Sequence, residues 1–178
     1  MRLTIGEVRD RAMILDCLNR YAQGVDQRNW PLYESAFTAD AAVEVIGYLN
    51  HTVTPIEFRD LLCGTFDATR LSGQHFLGNT LFEIDGDTAH TVTEFMAVTL
   101  EHAGEPGAAA RQITAALYID DLTRVADGWK IARRTLVRKS SNEDALPFAD
   151  PFAAAIEATL KTGWPLAPYT QDQTLDTL

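Results

Sequence analysis

Four long runs of β-type sequence, arranged as two pairs, restrict the folds open to this chain more than any other feature. The first pair, QHFLGNTLFEI and AHTVTEFMAVTL, is joined at Asp85–Asp87. The second pair, RQITAALYIDDLTR and GWKIARRTLVRK, is joined around Val125–Gly128. Asp-Gly linkers of this length are typical of β-hairpins, because both residues tolerate the backbone angles of tight turns. The pattern predicts two long antiparallel hairpins.

Helical patterns fill most of the chain before these strands. Thr4 with Glu7, and Thr54 with Glu57, form capping boxes, in which a hydroxyl and a carboxylate three residues apart satisfy backbone N–H groups at a helix start. The first helix is predicted to end at about Asp26. Its apolar stripe at helical spacing consists of Val8, Ala12, Leu15, Leu18, Ala22 and Val25, with Met13, Cys17 and Tyr21 beside it.

The remaining elements complete an α+β plan. Asn29 is suited to cap a short second helix, and AAVEVIGYL is predicted to form a strand before the third helix. Helices on one side of a strongly curved sheet would enclose a pocket between helices and sheet. We expect this domain to occupy residues 1–140. Residues 141–178 are predicted to form an extension with one helix, from Asp150 to Gly163, and a flexible tail.

The charge of the chain disfavours polyanionic partners. The sequence holds 15 Lys and Arg against 25 Asp and Glu, a net charge of −10. Binding to nucleic acid or to an anionic membrane depends on basic groups that neutralise phosphates. No apolar run approaches the roughly 20 residues that span a bilayer. We therefore expect neither nucleic acid nor membrane as a partner.

Cysteine usage and the first ten residues indicate a cytoplasmic protein. Cys17 and Cys63 lie in helical patterns without the spacing of a metal site, which favours reduced thiols. MRLTIGEVRD carries charges where a signal peptide needs an apolar stretch. The sequence contains no nucleotide-binding loop and no metalloprotease motif. We expect no metal and no cofactor.

Three polar residues are candidates for catalysis. Asp26 lies at the edge of the first helix's apolar face, although an aspartate at a helix end can also be simply solvated. His75 shares one strand face with Leu77, Asn79 and Leu81, where it could pack or act as a base. Asp26 accepting one ring N–H of His75 would make the other nitrogen basic. Tyr21 could fill the core or donate its hydroxyl to a substrate oxygen.

A second group of polar residues could line a pocket and bind substrate, or could face water. Tyr118 and Asp120 share one face of the third long strand with other polar side chains. Arg133 and Arg134 alternate between strand faces, so one of them can point inward. The other histidines, His51, His90 and His102, are expected at the surface. The predicted substrate-binding residues are Tyr48, Asn79, Thr99, Tyr118 and Asp120.

The chain resembles the SnoaL-like branch of the nuclear transport factor 2-like superfamily. The resemblance is carried by ILDCLNRYAQGVDQRNWPLYESAFTADAAVEV, QHFLGNTLFEIDGDTA and DGWKIARR, and covers roughly residues 5 to 140. It implies a cone-shaped barrel with a deep apolar cavity, a homodimer or higher homo-oligomer, and no cofactor. Relatives of this fold include dehydratases, isomerases, polyketide cyclases, epoxide hydrolases and ligand-binding modules, so the fold alone does not fix the function.

Scytalone dehydratase and the bile-acid dehydratases resemble the chain most closely at the polar sites. By this resemblance a catalytic aspartate falls on Asp26 and a catalytic histidine on His75. Two positions depart from scytalone dehydratase: Val25 stands where that enzyme has a tyrosine, and its second histidine falls near Thr99. These departures argue against the same substrate.

Two other relatives match less well. The oxyanion-hole tyrosine of ketosteroid isomerase falls on Tyr21, but the position of its base is Val45. The Asp–Arg–Asp set of epoxide hydrolases could be sought in Arg111, Asp120 and Asp26, without support from a motif. The sequence therefore predicts a cofactor-free dehydratase or isomerase that acts on a hydrophobic carbonyl compound such as a polyketide, steroid or aromatic metabolite. A non-catalytic ligand-binding module, a polyketide cyclase and an epoxide hydrolase are the alternatives.

Overall fold

The computed structural model of the chain describes residues 3–49, 51–102 and 109–141. The helices are α1 (Ile5–Asp26), α2 (Trp30–Ser35) and α3 (Pro55–Leu61), and α3 continues into a π-helical turn, Leu62–Phe66. The strands are β1 (Phe37–Val45), β2 (Arg70–Asp85), β3 (Thr88–His102), β4 (Ala109–Val125) and β5 (Gly128–Ser141). This order confirms the predicted α+β class. Within the described residues, no helix is both long and apolar enough to cross a membrane.

One five-stranded sheet forms the body of the protein, with the strand order β1-β5-β4-β3-β2. Strands β2 to β5 are antiparallel neighbours in chain order, and β1 pairs with β5 in parallel. Both predicted hairpin turns are present, and their glycines, Gly86 and Gly128, have positive φ angles of 57° and 128°. The sheet is curved but not closed, and the helices lie against its inner face.

The helix starts follow the sequence closely. Both predicted capping boxes form, with Thr4 accepting from the Glu7 N–H and Thr54 accepting from the Glu57 N–H. The Asn29 side chain caps α2 by accepting from the Leu32 N–H. These contacts satisfy backbone donors that a helix leaves unpaired in its first turn.

The predicted apolar stripe of α1 is wrong in its first half. Val8 is 53% exposed, Leu15 is 37% exposed and Ala12 is also exposed. The helix is rotated toward its Cys17 side, and the Cys17 thiol lies 3.2 Å from the Ala36 carbonyl oxygen. Both stripes are apolar, so helical periodicity alone could not decide which one faces the sheet. The buried residues of α1 are Ile14, Cys17, Leu18, Tyr21, Ala22, Gly24 and Val25.

A β-bulge in β2 overturns the predicted face of that strand. Leu77 pairs with Phe95 and Thr80 with Thr93, so β2 contains one residue more than β3 between these pairs. The extra residue exchanges the two faces of β2 beyond Leu77. His75 and Leu77 are half-buried, whereas Asn79 and Leu81 are exposed, with Leu81 at 62%.

The outer face of the sheet carries a second, smaller apolar cluster. It is built on Val92, Leu117 and Val137, with Ile46 and Ile119 packed against it. The homodimer or higher homo-oligomer implied by the family resemblance stays a prediction. The predicted C-terminal helix and tail, residues 141–178 with the helix from Asp150 to Gly163, lie outside the described residues apart from the end of β5.

The contact between α1 and α2 depends on Gly24. A Cβ at this position would lie 2.5 Å from the Tyr33 backbone nitrogen and 2.6 Å from the Tyr33 Cα. Those atoms belong to the backbone and cannot rotate away. A Cβ on Gly64, in contrast, would meet no atom within 4 Å.

We expect Gly24→Ala to lower the free energy of unfolding by about 1–3 kcal/mol, because the methyl group forces the two helices apart. Helix propensity acts in the opposite direction, since alanine is favoured over glycine by about 1 kcal/mol in a helix interior. Urea unfolding measures the difference, with Gly64→Ala as the matched control that should not destabilise the protein. A Gly24→Ala protein as stable as wild type would show that the helices do not approach this closely.

Candidate active site

Asp26 forms a close pair with His75, which lines a pocket between the helices and the sheet. Oδ1 of Asp26 lies 2.6 Å from Nδ1 of His75, and Oδ2 accepts a hydrogen bond of 2.7 Å from the His75 backbone N–H. The side chains are 7% and 12% exposed, respectively. The carboxylate thus binds one residue through two donors, which fixes both the backbone and the ring of His75.

A set of arginine contacts holds the end of α1 against the start of β2. Nη2 of Arg70 donates to the Val25 carbonyl, the residue before Asp26, at 2.9 Å. Nη2 of Arg28 donates to the Arg70 carbonyl at 2.6 Å. Both guanidinium groups also pair with Asp67, at 2.6 Å for Arg70 and 3.3 Å for Arg28. These contacts place the carboxylate of Asp26 beside the strand that carries His75.

The electrostatic environment keeps Asp26 ionised. Burial acts to raise the pKa of Asp26, but the hydrogen bonds and charge of His75, with a contribution from Arg70, outweigh it and lower the pKa below its ordinary value of 3.8. An ionised carboxylate can only accept hydrogen bonds. Nδ1 of neutral His75 is therefore assigned as the protonated nitrogen, and Nε2 is left with its lone pair.

The pocket beside this pair has a volume of about 160 Å³. Its wall combines apolar and aromatic side chains with a few polar ones, and three elements supply most of it: the end of α1, the α3 segment and the inner face of the sheet. The lining residues are Tyr21, Val25, Phe58, Leu62, Arg70, His75, Phe95, Ala97, Thr99, Glu101, Gln112, Tyr118 and Leu136.

Aromatic rings stack around the pocket, and a buried ion pair lies among them. The Phe95 and Tyr118 rings are stacked with centroids 4.0 Å apart, and Tyr21 meets Tyr118 edge-on at 5.4 Å. The Arg134 guanidinium lies 4.0 Å from the Tyr21 ring centroid and 3.9 Å from that of Tyr118. Burial raises the pKa of both tyrosines, so both hydroxyls are protonated at neutral pH.

Asp120 holds Arg134 in this position through two hydrogen bonds of 2.7 Å, and both side chains are fully buried. Burial opposes the charge of Arg134, but the carboxylate outweighs that effect and raises the arginine's pKa. The prediction that one of the two neighbouring arginines points inward is confirmed, because Arg134 is buried and Arg133 is exposed.

The structure brings together some of the predicted site residues and separates others. Asp26 meets His75, while Tyr21, Thr99 and Tyr118 line the pocket. Asp120 is buried against Arg134 and is not part of the pocket wall.

Two further predicted substrate-binding residues, besides Asp120, lie outside the pocket. Tyr48 is 42% exposed, because β1 ends at Val45 and the chain turns there, so that the predicted strand AAVEVIGYL is cut short. Asn79 is exposed because the bulge in β2 turns it outward. The epoxide-hydrolase arrangement is also contradicted, since Arg111 is exposed and Asp120 is paired with Arg134.

Sequence reasoning missed Arg70 and Glu101 as pocket residues, whereas Gln112 was expected in the polar row of the third long strand. No motif marks Arg70 or Glu101, and they enter the site only through the pairing of the strands. Among the described residues, no group of three or more His, Cys, Asp or Glu side chains is placed to hold a metal ion.

A small α+β domain with this fold places the chain in a known class of proteins, and comparison with known proteins identifies the family. The SnoaL-like domain family matches residues 6–135, well over half of the chain. This chain belongs to the SnoaL-like family. Uncharacterized proteins of Mycobacterium bovis and Mycobacterium tuberculosis are 29% identical to it over 136 residues, which cover 74% of this chain and 87% of each relative.

Solved structures share the fold at lower identity. A protein of Kribbella flavida has a TM-score of 0.67 and 22% identity, covering 76% of this chain and 94% of its own. A scytalone dehydratase-like protein of Novosphingobium aromaticivorans has a TM-score of 0.69 and 16% identity, covering 82% and 94%. Hexachlorocyclohexane dehydrochlorinase LinA type 3 of Novosphingobium barchaimii has a TM-score of 0.65 and 19% identity, covering 79% and 96%.

We expect the stability difference between wild type and Asp26→Asn to depend on pH. The folded-state pKa of Asp26 is lowered, so its stabilising effect is complete above the ordinary value of 3.8 and is lost as pH falls through the folded-state pKa. The wild-type advantage should therefore be constant at neutral pH and shrink below about pH 4. Urea unfolding across this range measures it.

Asp40→Asn is the matched control, because Asp40 is an exposed carboxylate on β1, away from the pocket. A wild-type advantage over Asp26→Asn that stays constant down to about pH 2 would contradict an ionised Asp26 bound to His75.

Proposed function

We propose that the protein is a cofactor-free lyase or isomerase that removes a proton next to a substrate carbonyl. The observation that carries the proposal is the contact of 2.6 Å between Asp26 and Nδ1 of His75 at the wall of a mostly apolar pocket. A histidine whose second nitrogen is free and whose first is bound to a carboxylate has the arrangement of a general base.

The reaction begins with Nε2 of His75 taking the proton from the carbon next to the carbonyl. The C–H electron pair becomes a C=C bond, and the carbonyl π electrons move to the oxygen, giving an enolate. When the carbonyl re-forms, the C=C electrons shift and expel a β-hydroxyl group, which takes the proton from Nε2 and leaves as water. In an isomerase the same proton returns to another carbon instead.

Asp26 would stabilise the imidazolium that exists between these two proton transfers. Its carboxylate faces the ring at hydrogen-bond distance, and the contact with the His75 backbone N–H prevents it from rotating away. General acid–base assistance of this type contributes on the order of 10²–10⁴-fold to the rate. Carbonyl compounds with an activated α-proton suit that magnitude.

The enolate oxygen needs a donor, and the sequence-based candidate is Tyr21. Its hydroxyl is buried and hydrogen bonded with Tyr118 and Arg134, at the aromatic side of the pocket. The rings of Tyr21 and Tyr118 form a flat apolar wall against which a substrate ring would pack. The hydroxyls of both residues remain candidate donors to the enolate oxygen.

The pocket volume indicates the size of the reacting part of the substrate. A cavity of about 150 Å³ accommodates benzene, as shown by an engineered apolar cavity in another protein. The volume here, about 160 Å³, suits one six-membered ring better than the fused rings of a steroid. An aromatic or alicyclic ketone is therefore the substrate class we favour, with any larger part of the molecule outside the pocket.

A ligand-binding module of the same fold is the alternative. Such a module has no need of a carboxylate placed to orient a pocket histidine, and the Asp26 contact therefore favours the enzyme. A polyketide cyclase would share the first proton abstraction. The absence of a cofactor, of nucleic-acid or membrane partners, and the cytoplasmic location stay predictions.

The direct test is the loss of water from 3-hydroxycyclohexanone, a one-ring β-hydroxy ketone, followed as the absorbance of the enone product. We expect turnover by wild type and a rate lower by about 10²–10⁴-fold in His75→Gln, because the variant lacks the base. Asp26→Asn should also lose at least about tenfold, because the imidazolium loses its counter-charge.

His90→Gln is the matched control. Nδ1 of His90 also lies 2.6 Å from a carboxylate, that of Asp121, but the pair is away from the pocket. Turnover that persists in His75→Gln, or that falls equally in His90→Gln, would contradict the assignment. Saturable ketone binding without turnover by wild type would favour the ligand-binding module.

A further inference from the structure

The inner face of the sheet arranges the pocket residues in rows across the strands. His75 pairs with Ala97 across β2 and β3. One row further along, Gly73 pairs with Thr99, and Thr99 pairs with Gln112 on β4. Residues two apart on one strand face are about 6.6 Å apart. The row of Gly73, Thr99 and Gln112 therefore lies within the width of one small ring from the His75 row.

The Arg70 guanidinium lies over this second row. A Cβ on Gly73 would lie 2.7 Å from Nη1 of Arg70, so the glycine leaves the space that the guanidinium occupies. The Arg70 side chain is 6% exposed and belongs to the pocket wall. Its Nη2 is bound to Val25 and Asp67, whereas its buried Nε has no hydrogen-bond partner among the described residues.

An unpartnered N–H of a buried guanidinium is costly. Nε is shielded from the empty pocket, so a substrate oxygen that accepts from it and removes this cost must first displace the guanidinium slightly. The charges around the site indicate whether this substrate oxygen belongs to a carboxylate or to an uncharged carbonyl. Arg28 and Arg70 both pair with Asp67, and Arg70 also lies close enough to Asp26 to lower the pKa of that carboxyl. Glu101, the register partner of Arg70 on β3, adds a third carboxylate on the same pocket wall. A carboxylate would be repelled there, whereas a carbonyl oxygen accepts from Arg70 without bringing a negative charge.

We propose that Arg70 binds the substrate's carbonyl oxygen, one row from His75, and that it stabilises the enolate formed there. This proposal rests on the proposed function and extends it, since it selects an uncharged carbonyl compound over a carboxylic acid. Thr99 and Gln112 border the same space, and Gly73 is a positioning residue that admits the guanidinium. Negative charge develops on the carbonyl oxygen beside Arg70 as the proton is transferred, so Arg70 stabilises the transition state more than the bound ketone.

Binding of three one-ring probes tests the proposal without requiring turnover. Cyclohexanone has the carbonyl, methylenecyclohexane has the same shape without an acceptor, and cyclohexanecarboxylate is an anion. Dissociation constants come from NMR titrations that observe the arginine Nε–H signals. We expect the Arg70 Nε–H signal to move with cyclohexanone, and cyclohexanone to bind more tightly than cyclohexanecarboxylate.

Arg70→Met should weaken cyclohexanone binding by about tenfold, the effect of one hydrogen bond to a charged group. Methylenecyclohexane should change by less than about twofold, because it makes no such bond. An equal loss for both probes, or tighter binding of the carboxylate, would overturn the proposal.

Gly73→Ala is a second variant that keeps the arginine and its charge. Its methyl group displaces the flexible end of Arg70, so we expect the same selective loss of cyclohexanone binding in a folded protein. Gly64→Ala, whose methyl group meets open space, should bind like wild type. Unchanged cyclohexanone binding in Gly73→Ala would count against Arg70 as the carbonyl donor.

The two proposals fail in different ways. Selective cyclohexanone binding through Arg70, without water loss from 3-hydroxycyclohexanone, supports the carbonyl site and contradicts the proposed reaction. Water loss that depends on His75, together with cyclohexanone binding that is unchanged in Arg70→Met, supports the reaction and overturns the role of Arg70.

Discussion

The contact between Asp26 and His75 is the interaction on which the arrangement of the site and the chemistry proposed for it depend. It joins the last residue of α1 to β2, across 49 residues of chain, through a ring nitrogen and a backbone N–H. The same carboxylate therefore closes the helix against the sheet and sets the tautomer of a pocket histidine. Together the two bonds fix the position of the His75 ring and assign its proton to Nδ1.

Two ionic groups hold the elements on either side of this contact. Asp120 and Arg134 are fully buried among the aromatic rings, and Asp67 binds Arg28 and Arg70 where α1 meets β2. Proteins tolerate buried charges when they are paired and hydrogen bonded, and Asp120 meets Arg134 through two hydrogen bonds. The pocket between them is left mostly apolar, with His75 and Arg70 as its polar groups next to the proposed reacting carbon.

Local sequence signals predicted the elements, but not the side-chain faces that depend on strand register. The capping boxes and hairpin turns need only a few neighbouring residues, and they were predicted correctly. The bulge that exposes Asn79 inserts one residue relative to β3, which no pattern within β2 reveals. Which of the two apolar stripes of α1 is buried depends on how the helix packs against the rest of the protein. The position of Arg70 also depends on how the elements pack: its guanidinium donates to the Val25 carbonyl and occupies the space that Gly73 leaves open.

The pairing of Asp26 with His75 was expected from the family resemblance. The residues alone did not require it, because each of them also fits a structural role.

The central claim is that His75 removes a proton next to a carbonyl. The most direct measurement is the exchange of the α-protons of cyclohexanone for deuterium in D₂O, followed by NMR, which requires no leaving group. The account predicts exchange catalysed by wild type and reduced by at least about 10²-fold in His75→Gln. Exchange at the buffer rate with wild type, or at the wild-type rate with His75→Gln, would contradict it.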